Sequence, residues 1–134
     1  MTTRLLWGAL AYILPTFPLG YIWHLVLFKG VYESLQIYRP DIIVPFGIDS
    51  MIIQGIVWAY LYGRLFAQEP VLRGAWKFAC LAFPLAWSFL VLVIAAKQHM
   101  TSVSAFLAFE TGFTLLQYLV VSPLIALACA NRRA

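Results

Sequence analysis

Long apolar runs alternate with short polar segments along the whole chain. The four runs are Leu5–Phe28, Ile42–Gly63, Phe78–Ala96 and Val103–Ala130. Each has about the 20 residues that a helix needs to cross the hydrocarbon core of a bilayer. An open strand edge would leave backbone groups unpaired in hydrocarbon, so the runs are predicted to be helices. The pattern predicts an all-α, polytopic membrane protein, with one transmembrane domain over 1–134 that forms a four-helix bundle with short loops.

The composition agrees with this class of protein. Hydrophobic residues make up 63% of the chain and charged residues 10%, whereas a soluble domain carries about 25% charged residues. The longest segment between runs, Arg64–Lys77, has 14 residues and is too short to bury a core of its own. A separate soluble catalytic, nucleotide-binding or DNA-binding domain is therefore excluded, and the expected partner is the lipid bilayer rather than nucleic acid.

The basic residues predict the orientation, because cytoplasmic loops carry an excess of Lys and Arg. With the N-terminus inside, six basic residues lie on the inner side and three on the outer side. Both termini are therefore predicted to be cytoplasmic. The inner set is Arg4, Arg64, Arg73, Lys77, Arg132 and Arg133, and the outer set is Lys29, Arg39 and Lys97.

Two prolines, Pro15 and Pro18, lie in the middle of the first run. Each removes a backbone donor and pushes its ring against the preceding turn, so a kink that acts as a hinge is predicted there. The segment that follows the run, Lys29–Asp41, mixes charged residues with two tyrosines. This mixture is typical of a segment at the membrane interface, where we predict a short helix.

A short sequence repeat links the two halves of the chain. Phe17–Leu19 and Phe83–Leu85 both read Phe-Pro-Leu, and the second and fourth runs each contain one acid with a glutamine further in. Parallel repeats of this kind occur in some transporters. We therefore predict two helical hairpins in the same orientation, 1–66 and 74–134, related by duplication.

Small residues recur every four positions in the second run, at Gly55, Ala59 and Gly63. Such a row lets two helix backbones approach closely. The partner of this row is either another helix of the same bundle or a second copy of the chain in a homodimer, and the sequence leaves both open.

Two acids, Asp49 and Glu110, lie within the apolar runs, where a charge near the bilayer centre costs about 2.5–3.5 kcal/mol. Each is the eighth residue from the predicted outer end of its run, which places it about 10 Å below the outer boundary. His24 and His99 lie at the same end of the first and third runs. Topology alone therefore places two acids and two histidines in one outer layer.

Other polar residues share helix faces with this layer. A period of 3.6 residues places Glu110, Thr114 and Gln117 on one stripe of the fourth run, and a stripe with an acid is predicted to face the bundle. In the first run, Tyr21 shares a face with His24. These residues complete a candidate ligand-binding or proton-binding pocket near the outer leaflet.

Several chemistries fit this layer. Two acids in a low-dielectric pocket share or hold a proton, and with aromatic neighbours they bind an organic cation. The set of His24, His99, Asp49 and Glu110 also matches the ligands of zinc or a transition metal, although no metal-binding spacing supports it and no cofactor is predicted. In the structural alternative, the acids only form hydrogen bonds that lock the helices together.

Two stretches resemble a known group of proteins: LPTFPLGYIWH (Leu14–His24) and PFGIDSMIIQGIVWAYLYG (Pro45–Gly63). They are similar to the compact four-span bacterial inner-membrane proteins that are grouped as domains of unknown function. The similarity is one of architecture over the whole chain, and it implies a multi-pass protein of the bacterial inner membrane without implying an activity or a site.

Two further groups of four-span proteins resemble this chain in one respect each. The small multidrug resistance exporters share the span count, but their essential glutamate lies in the first span, where this chain has no acid. Four-helix sterol-isomerase and sigma-2-like proteins share only the logic of the site, since they hold a cationic amine or carbocation with paired membrane acids.

Three hypotheses follow for the function. The first is a membrane protein that binds or transports a small cation, a proton or an amphiphile in an acid-lined pocket. The second is an accessory or assembly subunit of a larger membrane complex, in which the buried acids are structural. The third is an intramembrane enzyme with Asp49 and Glu110 as an acid/base pair, since such pairs need separated proton affinities.

Overall fold

The structure, a computed structural model, describes residues 2–130, and over these residues the chain is helical and has no strand. Arg132 and Arg133, which belong to the predicted inner charges, lie outside the described residues. The α-helices are α1 (Thr2–Ile22), α2 (Lys29–Leu35), α3 (Val44–Leu65), α4 (Val71–Trp87), α5 (Val93–Lys97) and α6 (Val103–Cys129). Two π-helical segments, Trp23–Leu27 and Ser88–Leu92, continue α1 and α4.

Four stretches of helix are long and apolar enough to cross a membrane. They are span one (Thr3–Leu27), span two (Val44–Leu65), span three (Val71–Lys97) and span four (Val103–Cys129). The prediction of an all-helical protein with four membrane-spanning helices is confirmed at this level. The inner and outer sides stay a prediction.

Span three begins earlier than its apolar run. The sequence predicts a start at Phe78, whereas the helix begins at Val71, directly after Pro70. The first turns contain the charged residues Arg73 and Lys77, which form ion pairs with Glu69 at 3.4 and 2.5 Å. Hydropathy therefore locates the apolar part of the span but misses the charged turns that continue the same helix.

Other helix ends follow from local sequence. The Ser102 hydroxyl accepts a hydrogen bond from the amide of Ala105 at 3.2 Å and caps the start of span four. The short helix α2, expected at the interface, ends at Gln36, which adopts the left-handed conformation with φ of 56°. Pro45 lies in the first turn of span two, where a proline costs no hydrogen bond.

Span one is central in the bundle. It packs against spans two and four, and span three packs against span four. Spans two and three have few contacts with each other, and there the Phe78 ring meets the rings of Trp58 and Tyr62 at centroid distances of 5.7 and 5.6 Å. The end of the bundle where span one begins, near Arg4, is called the Arg4 end, and the opposite end is called the His24 end.

The hydrophobic core has two parts. The larger part lies toward the Arg4 end and includes Tyr12, Tyr62, Phe78, Tyr118 and Ile125. The smaller part lies at the His24 end, where α2 folds over the spans. Its fully enclosed side chains are Tyr32, Leu35, Val91 and Phe106.

The small-residue row of span two divides. Gly55 and Ala59 are buried, and a Cβ on Gly55 would lie 3.0 Å from the carbonyl oxygen of Ala9 in span one. Gly63 faces open space, with nothing within 4 Å of a Cβ there. Gly55 and Ala59 therefore pack inside the bundle, and this part of the row is not free for a homodimer.

Spans one and three share a local irregularity. Both π-helical segments follow a proline, five residues after Pro18 and four after Pro84. A π-helical segment fits an extra residue into a turn and is frequent at functional sites. Helix α1 continues through Pro15 and Pro18 without a break, so the hinge stays a prediction, as does the duplication.

Candidate functional site

The structure brings two of the predicted polar residues into direct contact. The Nε2 atom of His24 lies 2.9 Å from Oε1 of Glu110, and the two side chains are 16% and 13% exposed. The contact joins spans one and four across 86 residues of sequence. It is a polar contact between two mostly enclosed side chains at the His24 end of the bundle.

Local backbone structure places each partner. His24 lies inside the π-helical segment Trp23–Leu27, where the wider turn changes the direction of the side chains relative to a regular α-helix. Glu110 lies on the stripe of span four that also carries the buried Thr114 and Gln117. The stripe that the sequence predicts to face the bundle therefore does so.

The second ring nitrogen fixes the state of the histidine. The Nδ1 atom of His24 lies 2.8 Å from the carbonyl oxygen of Gly20. A carbonyl oxygen only accepts hydrogen bonds, so Nδ1 carries a proton and donates it. The contact between Nε2 and Glu110 then contains one further proton, because two bare acceptors would repel each other.

This proton has two positions. On Nε2 it makes an imidazolium beside a carboxylate, and on Oε1 it makes a neutral imidazole beside a carboxylic acid. Both arrangements have zero net charge and both keep the hydrogen bond. In either arrangement the hydrogen bond joins span one to span four.

Aromatic rings enclose the pair. The ring of Phe113 meets the His24 ring edge-on at a centroid distance of 4.5 Å, and the ring of Tyr32 lies at 4.6 Å. Tyr38 stacks on Tyr32 at 5.6 Å, with 8° between the ring planes. These rings leave the pair only partly exposed, and the lower local dielectric strengthens the electrostatic interaction within it.

Tyr32 connects the pair to the interfacial helix α2. Its side chain is 1% exposed, and its hydroxyl accepts a hydrogen bond from Nε1 of Trp23 at 3.1 Å. Burial raises the pKa of the Tyr32 hydroxyl well above its usual value, and the neighbouring Glu110 carboxyl raises it further. Tyr32 is therefore a neutral hydroxyl beside the pair and not a second base.

A pocket of about 410 Å³ opens beside His24 at the end of the bundle. The rings of His24, Tyr32 and Tyr38 form one wall, and charged side chains of both signs from α2 and the following loop form the rim. His24 lines this pocket and Glu110 does not, so the pocket meets the pair at the His24 ring. The rim residues with charge are Lys29, Glu33 and Arg39.

Asp49 is not part of this site. Its side chain is exposed on span two, and its carboxylate has no hydrogen bond or ion pair with any residue from 2 to 130. The residues predicted to share its face, Ile52, Ile56 and Tyr60, are 41%, 45% and 47% exposed. The expectation that both acids line one cavity is therefore not met.

The remaining predicted site residues also separate from the pair. His99 is exposed in the turn between spans three and four, and Tyr21 is 55% exposed on the surface of span one. Over residues 2–130 no three His, Cys, Asp or Glu side chains gather into a metal-binding group. The set of two histidines and two acids is not assembled, and the acid/base pair of the enzyme hypothesis is not assembled either.

Gln117 belongs to a second polar layer deeper in the bundle. Its Nε2 atom donates hydrogen bonds to the hydroxyls of Tyr12 at 3.1 Å and Thr16 at 3.3 Å. The Tyr12 hydroxyl in turn donates to Oε1 of Gln54 at 2.5 Å. This layer joins spans one, two and four.

Thr114 lies between the two layers and does not connect them. Its hydroxyl donates to the backbone carbonyl of Glu110 at 2.7 Å, as threonine often does within a helix. Within the described part of the chain, no hydrogen bond connects the His24–Glu110 pair to the Tyr12 layer. The two layers are therefore separate polar sites at different depths.

Sequence reasoning missed Tyr12, Tyr32 and Phe113 as neighbours of the polar groups. Tyr12 has a sequence signal, since it lies one turn before Thr16 in an otherwise apolar helix. Tyr32 and Phe113 have none. The role of Tyr32 depends on how α2 folds over the His24 end, and that of Phe113 depends on how span four packs against Trp23 and His24 of span one.

Comparison with protein-family models, curated proteins and solved structures returns no match for this chain.

Proposed function

We propose that this chain is an integral membrane protein that binds one exchangeable proton at His24 and Glu110, and that the proton is linked to the binding or transport of a small solute in the adjoining pocket. The observation that carries the proposal is the contact of 2.9 Å between His24 Nε2 and Glu110 Oε1. Because Nδ1 of His24 donates its proton to the carbonyl oxygen of Gly20, the exchangeable proton lies in the contact between Nε2 and Oε1 and moves between these two atoms.

The charge of the pair favours a proton over other ligands. A cation site needs a net negative charge at the ligand, but the pair is neutral with its proton in either position. The pair itself contains one carboxylate: Asp49 lies elsewhere on the surface of span two, and Glu33 at the adjoining pocket is paired with Lys29 at 3.5 Å. An organic or metal cation would bind here only by displacing the proton, and the proton is therefore the primary ligand.

The two histidines of the chain allow a direct test by nitrogen NMR of protein labelled only at histidine. We expect the resonance that disappears in His24→Gln to show a protonated Nδ1 at every pH studied, with only Nε2 changing its state. The exposed His99 serves as the reference in the same spectrum. A His24 ring whose Nδ1 loses its proton while Nε2 keeps one contradicts the proposal.

Glu110→Gln provides the matched variant. An amide keeps a hydrogen-bond donor for the neutral Nε2 but has no carboxyl proton to exchange. We expect the variant to fold and to lose the change at Nε2. Asp49→Asn is the control, because Asp49 contacts neither partner, and its His24 spectrum should match that of the wild type.

A flux measurement distinguishes transport from binding. In proteoliposomes with an internal pH indicator, proton-linked transport predicts an electrically driven proton flux that Glu110→Gln abolishes and Asp49→Asn preserves. A wild-type protein with the predicted NMR behaviour and no flux is a proton-binding protein without transport of its own.

Asp49 favours a second candidate function, that of a subunit in a larger membrane assembly. The carboxylate lies about 8 Å along the helix from Val44 and on a face whose other residues are apolar. A carboxylate that faces lipid at this depth is costly, so we infer that another subunit, identical or different, covers this face.

Light scattering on protein extracted in mild detergent tests this second candidate. We expect a protein mass well above the 15.1 kDa of one chain and a return to one chain in Asp49→Leu. Glu110→Gln is the control and should leave the mass unchanged. A wild-type protein that is monomeric directly after extraction contradicts the assembly.

A further inference from the structure

A second pocket, of about 570 Å³, lies at the Arg4 end, far along the bundle from His24. The start of span one, the end of span two and the end of span four form its walls. The pocket has two guanidinium groups and no acid in its lining. Its lining residues are Arg4, Leu5, Ala59, Tyr60, Gly63, Arg64, Leu65, Ala67, Gln68 and Cys129.

The basic residues of the Arg4 end fall into two groups. Arg73 and Lys77 form ion pairs with Glu69 at 3.4 and 2.5 Å. Arg4 and Arg64 form no ion pair with any side chain of residues 2–130. Among the described residues of the Arg4 end, the cations that lack an acidic partner are therefore the two that line the pocket.

The aromatic neighbour of Arg64 leaves its hydrogen-bonding capacity free. The guanidinium lies over the ring of Tyr60 at 5.7 Å from the centroid. Such stacking holds the plane of the guanidinium while its N–H groups stay available for an anion. Two guanidiniums with free donors at one pocket are suited to phosphate oxygens, which arginine binds with two parallel hydrogen bonds.

Gly63 keeps the pocket open. A Cβ at this position would meet no atom within 4 Å, so the space above Gly63 is the pocket itself rather than a neighbouring helix. The glycine that the sequence groups with Gly55 and Ala59 as a packing residue therefore forms the floor of the pocket.

A separate apolar groove of about 540 Å³ lies between spans one and four on the other side of Arg4. Arg4 lines both cavities, so the cation lies where an anionic headgroup would join an apolar chain. The other residues of the groove are Trp7, Leu10, Ala11, Leu14, Leu124, Leu127, Ala128 and Ala130.

We propose that this composite site binds one anionic phospholipid, with its phosphate between Arg4 and Arg64 and an acyl chain in the groove of Trp7 and Leu127. Basic pockets between membrane helices are known to bind lipid headgroups by this chemistry. The site is independent of the proton site, because the two lie at opposite ends of the bundle. The predicted orientation of the chain places the lipid in the cytoplasmic leaflet.

Native mass spectrometry of the purified protein tests the site with phosphatidylglycerol as the probe and phosphatidylcholine as the neutral comparison. We expect saturable binding of one phosphatidylglycerol, and roughly tenfold weaker binding in Arg64→Gln from the loss of a charged hydrogen-bond pair. Arg64→Lys keeps the positive charge, and it should also weaken binding because it removes the paired donors.

Arg73→Gln is the matched control, since it removes a cation of the same end that already has an acidic partner. Gly63→Leu leaves every charge in place and fills the pocket, so it should abolish the saturable binding. Equal losses in Arg73→Gln and Arg64→Gln would show that only surface charge attracts the lipid, and they would overturn the proposal.

A competition experiment separates a lipid from a free phosphate. Inorganic phosphate and glycerol phosphate should displace phosphatidylglycerol only at concentrations far above that of the lipid, because neither fills the apolar groove. Displacement at equal concentration, or no loss of lipid binding in Leu127→Asn, would show that the groove has no part and would overturn the assignment to a lipid.

Discussion

Glu110 and Asp49 are the two acids within the spans, and the fold treats them in opposite ways. Glu110 is 13% exposed and contacts His24 at 2.9 Å, whereas Asp49 lies on an exposed face of span two. Each acid is the eighth residue of its apolar run, so depth in the membrane does not explain why one is enclosed and the other exposed. The rotation of each helix about its own axis explains it. That rotation places Glu110 inside the bundle and Asp49 on a surface that another subunit is proposed to cover.

The largest expected effect separates the two acids by stability. Glu110→Leu leaves the His24 ring with a buried nitrogen that lacks its partner, and removal of one member of a buried pair costs about 3–5 kcal/mol of unfolding free energy. Asp49→Leu removes a carboxylate that has no partner among residues 2–130, so it should not lower the unfolding free energy of the single chain. Unfolding of both variants in detergent micelles, followed by circular dichroism, measures the difference.

Glu110→Gln controls for the loss of the acid alone. It keeps the hydrogen bond to His24, so it should retain most of the stability that Glu110→Leu loses. Equal losses in Glu110→Leu and Asp49→Leu would show that the buried pair contributes no more than an exposed acid, and the contrast between the two acids would fail.

The next effect contrasts the middle of span two with its first turns. Gly55 packs on the backbone of span one, where an added Cβ would lie 3.0 Å from the carbonyl oxygen of Ala9, so Gly55→Leu should cost about 1–3 kcal/mol through overpacking. Gly47 lies in the exposed first turns of the span and has no atom within 4 Å of such a Cβ. Gly47→Leu should therefore unfold at or above the wild-type temperature in a thermal scan.

A smaller effect concerns the amides that lie one or two turns below the acids. Gln54 and Gln117 meet at the Tyr12 hydroxyl, so the amides converge although the acids do not. Tyr12→Phe removes both hydrogen bonds and should cost about 1 kcal/mol, since such bonds between membrane helices contribute about 0.6 kcal/mol each on average. Tyr21→Phe, on an exposed side chain, should leave the unfolding free energy unchanged.

The sequence predicts which face of span four is buried. For span two it contains a signal that the prediction did not use. Glu110, Thr114 and Gln117 share a stripe with helical spacing, and the structure places that stripe inside. On span two, the buried side is marked by Gly55 and Ala59, which lie roughly 80–120° around the helix from Asp49 at 100° per residue. The small-residue row therefore already indicates that Asp49 lies to the side of the face that meets span one.

Other parts of the site have no local signal. The role of Tyr32 depends on α2 folding over the His24 end, and the contact between Tyr12 and Gln117 joins residues 105 positions apart. The early start of span three is also invisible to hydropathy, because its first turns are charged. Such features depend on tertiary packing, which the apolar pattern of a membrane helix does not encode.

Glu69 provides the smallest and most easily measured comparison, as an acid outside the spans that has partners but little burial. The hydrogen bond from Lys77 lowers the pKa of the Glu69 carboxyl, and the charges of Lys77 and Arg73 lower it further. A folded-state pKa below the unfolded value means that Glu69 stabilises the fold at neutral pH and that this contribution is lost as the pH falls through the lowered pKa.

Glu69→Gln should therefore unfold at a slightly lower temperature than the wild type at neutral pH and at the same temperature in acid. High salt should reduce the difference at neutral pH. Glu33→Gln, whose pair with Lys29 at 3.5 Å is more exposed, should give a smaller difference. If the gap between wild type and Glu69→Gln persists unchanged in acid, the ion pairs at the start of span three are not its cause, and the extension of the helix to Val71 must have another source of stability.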